Sequence, residues 1–343
     1  MSGLAFVLLL LVISIFGPFL RPDKTINAND QNILIARQKP GLTVQMLHVR
    51  KSEYQKQGVY TIWKNGGRSN AFTEVPIKNL EVKGDSAIAT LFSSTGEKKT
   101  FALQQLISKG NSTQPEDLIF KRTYLLGTDK YGRDLLSRLM AGTVISLSVG
   151  AVAVLISLLV GLTLGLIAGY YRGFVDAMIM WFTNVIWAVP TLLLVMAITF
   201  AFGSGFWKVF LAVGLTMWVE VARIARGQVL SIREKEYVEA ARALGYSEFR
   251  IIFKHILPNI LSPIIVISAA NFASAILIEA GLSFLGLGAQ IPTPSWGNMI
   301  REHYSFITTD LAYLALLPGA CIMLLVLSFM MVGNGLRDAL DVR

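Results

Sequence analysis

The 343-residue sequence contains little charge. Asp, Glu, Lys and Arg together make up 15% of it, whereas soluble domains average about 25%. Apolar residues make up 53%, and several apolar runs approach the ~20 residues that cross a bilayer. These features exclude an ordinary soluble domain and indicate a membrane protein with several spans.

Residues that hold metals or form disulfides are also scarce. The single cysteine, Cys321, lies in an apolar run and has no partner for an intramolecular disulfide. His48, His255 and His303 are scattered, without the spacing of a metal site. The stretch SSTGEKKT lacks the first glycine of a phosphate-binding loop. We therefore expect no cofactor, no metal and no catalytic activity in this chain.

Six apolar runs predict an all-α bundle of six transmembrane helices, with both termini on one side. They cover residues 4–20, 143–170, 175–202, 206–221, 256–287 and 311–332. The first run is predicted to be a retained anchor, because no basic residue precedes it and no small-x-small cleavage pattern follows it. The ionisable residues Lys208, Glu220 and Glu279 fall near the predicted span ends. Since proton-driven transporters need ionisable relays inside the membrane, any transport energy should come from another subunit.

The region between the first two runs is polar and reads as a β-rich module. Alternating residues and turn glycines predict short strands in residues 43–51, 58–65, 71–77, 86–94 and 98–106. The chain therefore divides into an anchor (1–22), an external β-rich insertion (23–122) and a five-span core (123–343).

The distribution of Lys and Arg predicts the orientation. The loops and tail on one side carry ten of them, the last being Arg343, whereas the short opposite loops and their edges carry only Lys208 and Arg301. By the positive-inside rule both termini face the cytoplasm and the insertion lies outside. The net charge of +9 is thus assigned largely to residues flanking the lipid bilayer, and no nucleic-acid partner is expected.

The predicted cytoplasmic loop contains the stretch EYVEAARALGYSEFRIIFKHILPNI. Its first part, about residues 235–246, has helical spacing along one face, formed by Tyr237, Ala240, Ala241 and Leu244. Gly245 should end this helix, Ser247 should cap the next one, and Pro258 suits the first turn of the following span. Taken alone, the pattern fits a solvated helix as well as a helix that seats in a partner.

Three motifs resemble those of one family. Glu239-Ala240-Ala241, Gly245 and the tetrad from His255 to Pro258 resemble the EAA…G…I-x-L-P signature of ABC-importer permeases. His255 stands where Ile is usual, as in the oligopeptide/dipeptide branch. The stretches LLGTDKYGRDLLSRLMAGTVISL and EAGLSFLGLGAQIPTPSWGNMI resemble segments of the C-type subunit of that branch.

This resemblance implies a type I permease of the bacterial cytoplasmic (inner) membrane that imports di- or oligopeptides. The implied partners are a second homologous permease, two ATPase subunits that bind ATP and Mg²⁺, and an external solute-binding protein. The residues implied to couple to the ATPase are Glu239, Ala240, Ala241, Arg242, Gly245, His255, Leu257 and Pro258. Two alternatives are a permease for nickel or another small solute, and a membrane sensor, for which the ten residues after Gly333 offer no output domain.

Two further sets of residues are predicted to have roles. Gly161, Gly165 and Gly169 form a small-residue row typical of close helix packing, and Pro190 should kink the third span. Candidates for the external surface or gate are Asp129, Arg133, Asp134, Glu279 and Trp296, of which the first three are expected to form a clasp.

Overall fold

The computed structural model describes residues 2–51, 57–108, 114–203, 206–290 and 292–340, with Phe206 described for its backbone only. Arg343, counted above among the charges of the tail, lies outside the described residues. Its α-helices are α1 (Ser2–Leu20), α2 (Val59–Lys64), α3 (Pro115–Leu118), α4 (Leu135–Tyr171), α5 (Gly173–Trp187), α6 (Thr191–Phe202), α7 (Phe206–Ile232), α8 (Glu236–Ala243), α9 (Glu248–Arg250), α10 (Leu257–Phe284), α11 (Trp296–His303) and α12 (Tyr313–Leu340).

The longest helix, α4, starts earlier than the apolar run at residue 143 predicts. Asp134 caps it by accepting a hydrogen bond from the Ser137 backbone N–H, which satisfies one of the free donors at the helix start. Arg172 and Gly173 end it with positive φ angles of 59° and 58°. The first end of α4 therefore reaches the β-rich module, and its last end lies on the opposite side of the bundle.

The glycine row packs α4 against α7 within this chain. A Cβ atom added at Gly161 would lie 2.5 Å from the Trp218 carbonyl oxygen, and one at Gly165 would lie 2.6 Å from that of Ala222. At Gly169 the nearest atom would be the Val229 Cβ, at 2.7 Å. Only glycine allows the two backbones to come this close, which is the usual packing of helices in lipid.

The third predicted span is sharply bent. Helices α5 and α6 meet at 93°, and Pro190 occupies the N-cap position of α6. Proline lacks the N–H that a continuous helix would use at this point, so the chain stops and turns. The kink predicted at Pro190 is confirmed.

Within the part of the chain that the structure describes, four helical segments are apolar enough, by length and composition, to cross a membrane, or five if the bent pair is one span. The four are α1, α4, the continuous helix Glu248–Phe284 and α12. Helix α7, which contains the fourth predicted run, is not among them, since it carries Lys208, Glu220, Arg223 and Arg226. The count of six spans remains a prediction.

The segment before α10 is helical throughout. Pro258 does stand in the first turn of α10, but α9 and a π-helical turn (Ile251–Ile256) precede it without a break. The Leu257 N–H donates to the carbonyl of Ile252, five residues back. A wider turn relieves the crowding that a proline ring causes in an α-helix.

The module between α1 and α4 contains an antiparallel five-stranded sheet in the order β4-β3-β2-β1-β5. The strands are β1 (Leu42–Arg50), β2 (Phe72–Lys83), β3 (Ser86–Leu91), β4 (Lys98–Ala102) and β5 (Ile119–Tyr124). Apolar clusters cover both faces: Leu47, Ile77 and Phe101 belong to one, and Val44 and Met46 to the other. This division follows the alternation of side chains along β1.

One strand prediction is wrong, and one strand was missed. Residues 58–65 are not a strand but contain α2, which lies against α1, while β5 was not predicted. Val59, Tyr60 and Trp63 are 72%, 72% and 52% exposed. Their β-branched and aromatic side chains favour a strand only where a neighbouring strand pairs with them, and β1 instead pairs with β2 and β5.

Candidate functional site

The predicted coupling segment lies on the side of the bundle opposite the module. Helix α8 ends at Ala243, and Gly245 follows with a φ of +76°. The left-handed region is strained for residues with a Cβ, so glycine is required here by its backbone and not by lack of space. The Ser247 side chain then accepts a hydrogen bond from the Arg250 N–H and caps the next helix, as predicted.

The predicted stripe on α8 is divided between two faces. Ala241 points inward together with Val238 and is buried, whereas Tyr237, Ala240 and Leu244 are exposed. The expectation that Ala241 shares the outward face is therefore wrong. It packs instead among residues of α7 and of the π turn.

The outward face of this segment combines charge with unusual apolar exposure. Glu239 and Arg242 are exposed, and Leu244 and Phe249, on either side of Gly245, are 72% and 70% exposed. Large apolar side chains clustered at a turn and rimmed by charges are typical of a protein contact surface.

Polar contacts join the end of α7, just before α8, to α4 and α5. Arg226 binds both carboxylate oxygens of Asp176 at 2.5 and 2.6 Å, which joins α7 to α5. Arg233 donates to the Tyr170 carbonyl at the end of α4, and Arg172 pairs with Glu234 just before α8. A bidentate Arg–carboxylate pair fixes geometry better than a single contact does, so the part of α7 that leads into α8 is fixed to α5, and α8 itself packs on the bundle through Val238 and Ala241.

The rest of the signature lies beyond α8. His255 is in the π turn and its ring lies 5.9 Å from that of Tyr246. Leu257 and Pro258 open α10. The structure thus separates the predicted coupling residues into an outward-facing group on and just after α8, the inward-facing Ala241, and a group that shapes the start of the long helix.

At the other end of α4, Arg133 connects three parts of the chain. Its Nε donates to Asp129 and its Nη2 donates to Glu302 of α11, both at 2.5 Å. Arg133 is 1% exposed. Asp134, the third member of the predicted clasp, caps α4 and does not join this network. Glu302 was not predicted, because residues 169 positions apart leave no local pattern in the sequence.

Asp129, Glu302 and His303 form a group whose potential metal-binding atoms lie within 4.8 Å of one another. The His303 Nδ1 is 2.7 Å from the Met299 carbonyl oxygen, and burial lowers the pKa of His303. Arg133 bridges the two carboxylates and already supplies the positive charge that they require. The group is therefore an ion-pair network with a neutral histidine beside it.

Glu279 and Trp296, predicted as external surface or gate residues, do not lie on the surface, since each is 1% exposed. The Trp296 indole N–H donates to the Leu139 carbonyl at 2.9 Å. The Glu279 carboxyl accepts from the Ser283 hydroxyl at 2.6 Å, and Ser295 donates to Ser283 at 3.1 Å. These bonds hold the loop between α10 and α11 against the bundle.

The module is tied to this end of the bundle by additional bonds. The Tyr313 hydroxyl of α12 donates to the Gln38 carbonyl at 2.9 Å. The Ser137 hydroxyl of α4 accepts from the Asp23 N–H, also at 2.9 Å. Module and bundle are therefore connected through α4, α11 and α12.

Residues 161–343 match the family described as binding-protein-dependent transport system inner membrane component. The match lies entirely after the β-rich module. It includes the glycine row, the coupling segment and α11.

Two curated relatives match over a similar length. The chain is 46% identical to the dipeptide transport system permease protein of Alkalihalophilus pseudofirmus over 215 residues, which are 63% of this chain and 70% of that protein. It is 43% identical to the glutathione transport system permease protein of Pectobacterium atrosepticum over 216 residues, 63% of this chain and 71% of that one.

A solved structure of a methionine ABC transporter in an inward-facing conformation is similar in fold. It aligns with a TM-score of 0.52 and 17% identity, covering 61% of this chain and 98% of that chain. At this identity the likeness concerns the fold alone.

Proposed function

This chain belongs to the family of binding-protein-dependent transport system inner membrane components and is a permease subunit of an ABC importer; we propose that its cargo is a di- or oligopeptide. Two relatives support this proposal, since one is named for dipeptides and the other for glutathione, itself a tripeptide. The chain contributes the path and the mechanical coupling, and ATP is hydrolysed elsewhere in the complex.

The proposed complex contains a second homologous permease, two ATPase subunits and an external solute-binding protein. In this arrangement the module faces outward, both termini face the cytoplasm, and the protein lies in the bacterial inner membrane. The module and α8 lie at opposite ends of α4. This separation supports an arrangement in which the binding protein delivers cargo on one side and the ATPases act on the other.

The observation that carries the coupling role is the outward surface around Gly245. Leu244 and Phe249 are exposed there, on a segment that packs against α7 and the π turn through Val238 and Ala241. An ATPase that binds this surface moves α7 and the helix Glu248–Phe284 along with it. Those helices then carry the motion to the path, which opens alternately to each side.

The coupling role is tested by Gly245→Asp in the complete transporter reconstituted with its ATPases and binding protein. Residues other than glycine are strained at a φ of +76°, so the turn and its contact should both be disturbed. We expect ATP hydrolysis to persist while peptide uptake falls by at least ~10-fold. Uptake at the normal rate would rule out the coupling role.

Gly84→Asp provides the matched control. Gly84 also has a left-handed φ, +57°, and no neighbour within 4 Å of an added Cβ, but it lies in the turn between β2 and β3. The same backbone strain placed there should leave peptide uptake coupled to ATP hydrolysis.

The proposed orientation is tested by thiol labelling of intact cells. Ser231→Cys, near the end of α7, should be protected from a membrane-impermeant reagent, whereas Ser69→Cys in the module should react. Both positions are exposed, so accessibility of the compartment decides the result. The opposite labelling pattern would reverse the topology and remove the coupling role.

A further inference from the structure

Glu220 is a charged residue whose place in the fold is not explained by any contact. The apolar run that ends at residue 221 puts it near a span end, but α7 continues to Ile232. At ~1.5 Å per residue, Glu220 is therefore about 20 Å from either end of the helix. Its neighbours Val219 and Val221 are buried, whereas Glu220 itself is exposed.

Among the described residues, none forms an ion pair or hydrogen bond with Glu220. Glu220 lies halfway along α7, which the sequence predicts to contain a span, and a carboxylate inside a membrane faces a bundle interior or a water-filled cavity because contact with lipid is costly. The exposed face of α7 at Glu220 must therefore border a polar space or another protein.

A cavity of about 290 Å³ opens beside Glu220. It lies between the bent pair α5–α6, α7 and α10, and the bend at Pro190 forms one wall. The lining includes Trp187, Pro190, Thr191, Thr216, Met217 and Ser274. Broken helices near the middle of the membrane are a common way to build cargo sites, because the break exposes polar backbone groups.

Trp187 is held in position at this cavity by Arg223. The guanidinium carbon lies 4.2 Å from the centre of the indole ring, and Arg223 Nη2 donates to Asn184 Oδ1 at 2.6 Å. Arg223 is one turn away from Glu220 on α7, yet it is engaged by α5 and forms no ion pair with Glu220. The cavity thus presents a negative group and a fixed aromatic ring.

We propose that this cavity is part of the cargo path and that Glu220 receives the free α-ammonium group of a peptide. The inference rests on the proposed function and deepens it. Carboxylates and aromatic faces both attract organic ammonium ions. A divalent transition metal prefers imidazole or thiolate ligands, and the described lining of the cavity contains neither, nor a second carboxylate.

One charged contact suits a path from which the cargo must leave again. A site with several matched charges would hold the peptide and slow its release, whereas a single carboxylate orients the amino end and lets it go. The side chains of the peptide, whatever their size, can then pass the cavity after the amino end without specific contacts. The site therefore selects for a free amino terminus and not for a sequence.

The test uses the complete transporter reconstituted in vesicles, with trialanine and N-acetyl-trialanine as cargo. Each uptake rate is divided by the affinity of the binding protein for that peptide, measured separately. We expect Glu220→Gln to reduce uptake of trialanine by ~10-fold and to leave N-acetyl-trialanine unchanged. Glu220→Asp, which keeps the charge, should retain most of the preference.

Glu97→Gln is the matched control, because it removes one exposed carboxylate from the module and should change neither rate. If Glu220→Gln slows both peptides equally, or slows neither, the assignment of Glu220 to the ammonium group is wrong. If the unmodified complex moves neither peptide while its ATPases remain active, the peptide cargo itself is refuted.

A second measurement does not depend on uptake. Glu220→Cys, in a Cys321→Ala background, should react with a water-soluble cationic thiol reagent in the assembled complex, and trialanine should slow the reaction. Failure to react would show that the residue does not face an aqueous path, and the proposal would fall. Lack of protection by trialanine would also overturn it, because the peptide would then not pass the residue.

Discussion

The membrane bundle and the external module are held together by different means. In the bundle, Gly161 and Gly165 bring the α4 backbone against that of α7, and few polar side chains take part. In the module, apolar clusters cover both faces of a sheet. Lipid offers no hydrophobic drive for helix association, so close packing must supply it, whereas the module in water can rely on burial.

The module also contains a cluster of charged side chains, which the contact of α4 with α7 along the glycine row does not. His48 is stacked between Phe72 and Phe120, with 3.9 Å between ring centres on each side, and lies 3.7 Å from Glu74. Arg122 pairs with Glu74 and with Asp30, the latter at 3.5 Å. Water at the margin of the module permits this arrangement, and the comparison shows that each region is built for its own solvent.

The largest effect is expected from removing Arg133, whose ion pairs with Asp129 and Glu302 connect the module to the bundle. Arg133→Met leaves Asp129 and Glu302 without the cation between them, and breaking a buried ion pair typically costs about 3–5 kcal/mol. We expect a lower unfolding temperature and faster protease cleavage between module and bundle. Arg50→Met, at an exposed position on β1, is the control. If both variants change the unfolding temperature and the cleavage rate equally, the Arg133 network does not connect module and bundle.

The next effect concerns the bundle alone. Gly165→Leu places side-chain atoms where a Cβ would already lie 2.6 Å from the Ala222 carbonyl oxygen, and such overpacking costs about 1–3 kcal/mol. The yield of folded protein in detergent and its thermal stability should both fall. Gly227→Leu, also in a helix but with nothing within 4 Å of an added Cβ, should be tolerated. An equal loss of folded yield and thermal stability in both variants would contradict the close packing of α4 against α7 at the glycine row.

The smallest effect concerns the module and has the opposite sign. Burial, followed by the nearby Asp23 and Glu74, raises the pKa of Asp30 to about 6, compared with about 3.9 in an unfolded chain. Between these values the folded state binds more protons, so stability falls as the pH rises through the window and stays lower above it.

Asp30→Asn removes this loss. Because the carboxylate is partly exposed, we expect a gain of only about 1 kcal/mol at pH 7.5, which disappears near pH 4. Amide hydrogen exchange of β1 and β2 in the complete chain, followed from pH 4 to 8, measures it. Destabilisation at pH 7.5 would mean that the pairing with Arg122 outweighs burial.

For the bundle, the positions of the helices were easier to predict from the sequence than the contacts between them. Apolar runs located the long helices, and Pro190 and Ser247 marked a bend and a cap, because each acts on backbone within a few residues of itself. The run that ends at residue 221 hid the length of α7, since Arg223 and Arg226 look like a helix end. Within the fold these charges bind Trp187 and Asp176, so the helix continues.

The strands of the module and the Arg133 network were harder to predict, for a different reason. A strand in residues 58–65 would need a neighbour, and pairing partners are not encoded in the segment itself. The contact of Arg133 with Glu302 likewise depends on how distant parts of the chain meet. Periodicity records how a segment relates to solvent, and it does not record which other segment lies beside it.

The unbroken helix from Glu248 to Phe284 has a mechanical consequence. At ~1.5 Å per residue it is about 55 Å long, and it reaches from the cap at Ser247 to the hydrogen bonds of Ser283. If it tilts about its middle by ~5°, simple geometry moves each end by ~2 Å, in opposite directions. The glycine row lies between α4 and α7 and is not part of this helix, but a displacement of that size is enough to separate the Ser283 hydroxyl from the Ser295 hydroxyl, which lies outside the helix and 3.1 Å away.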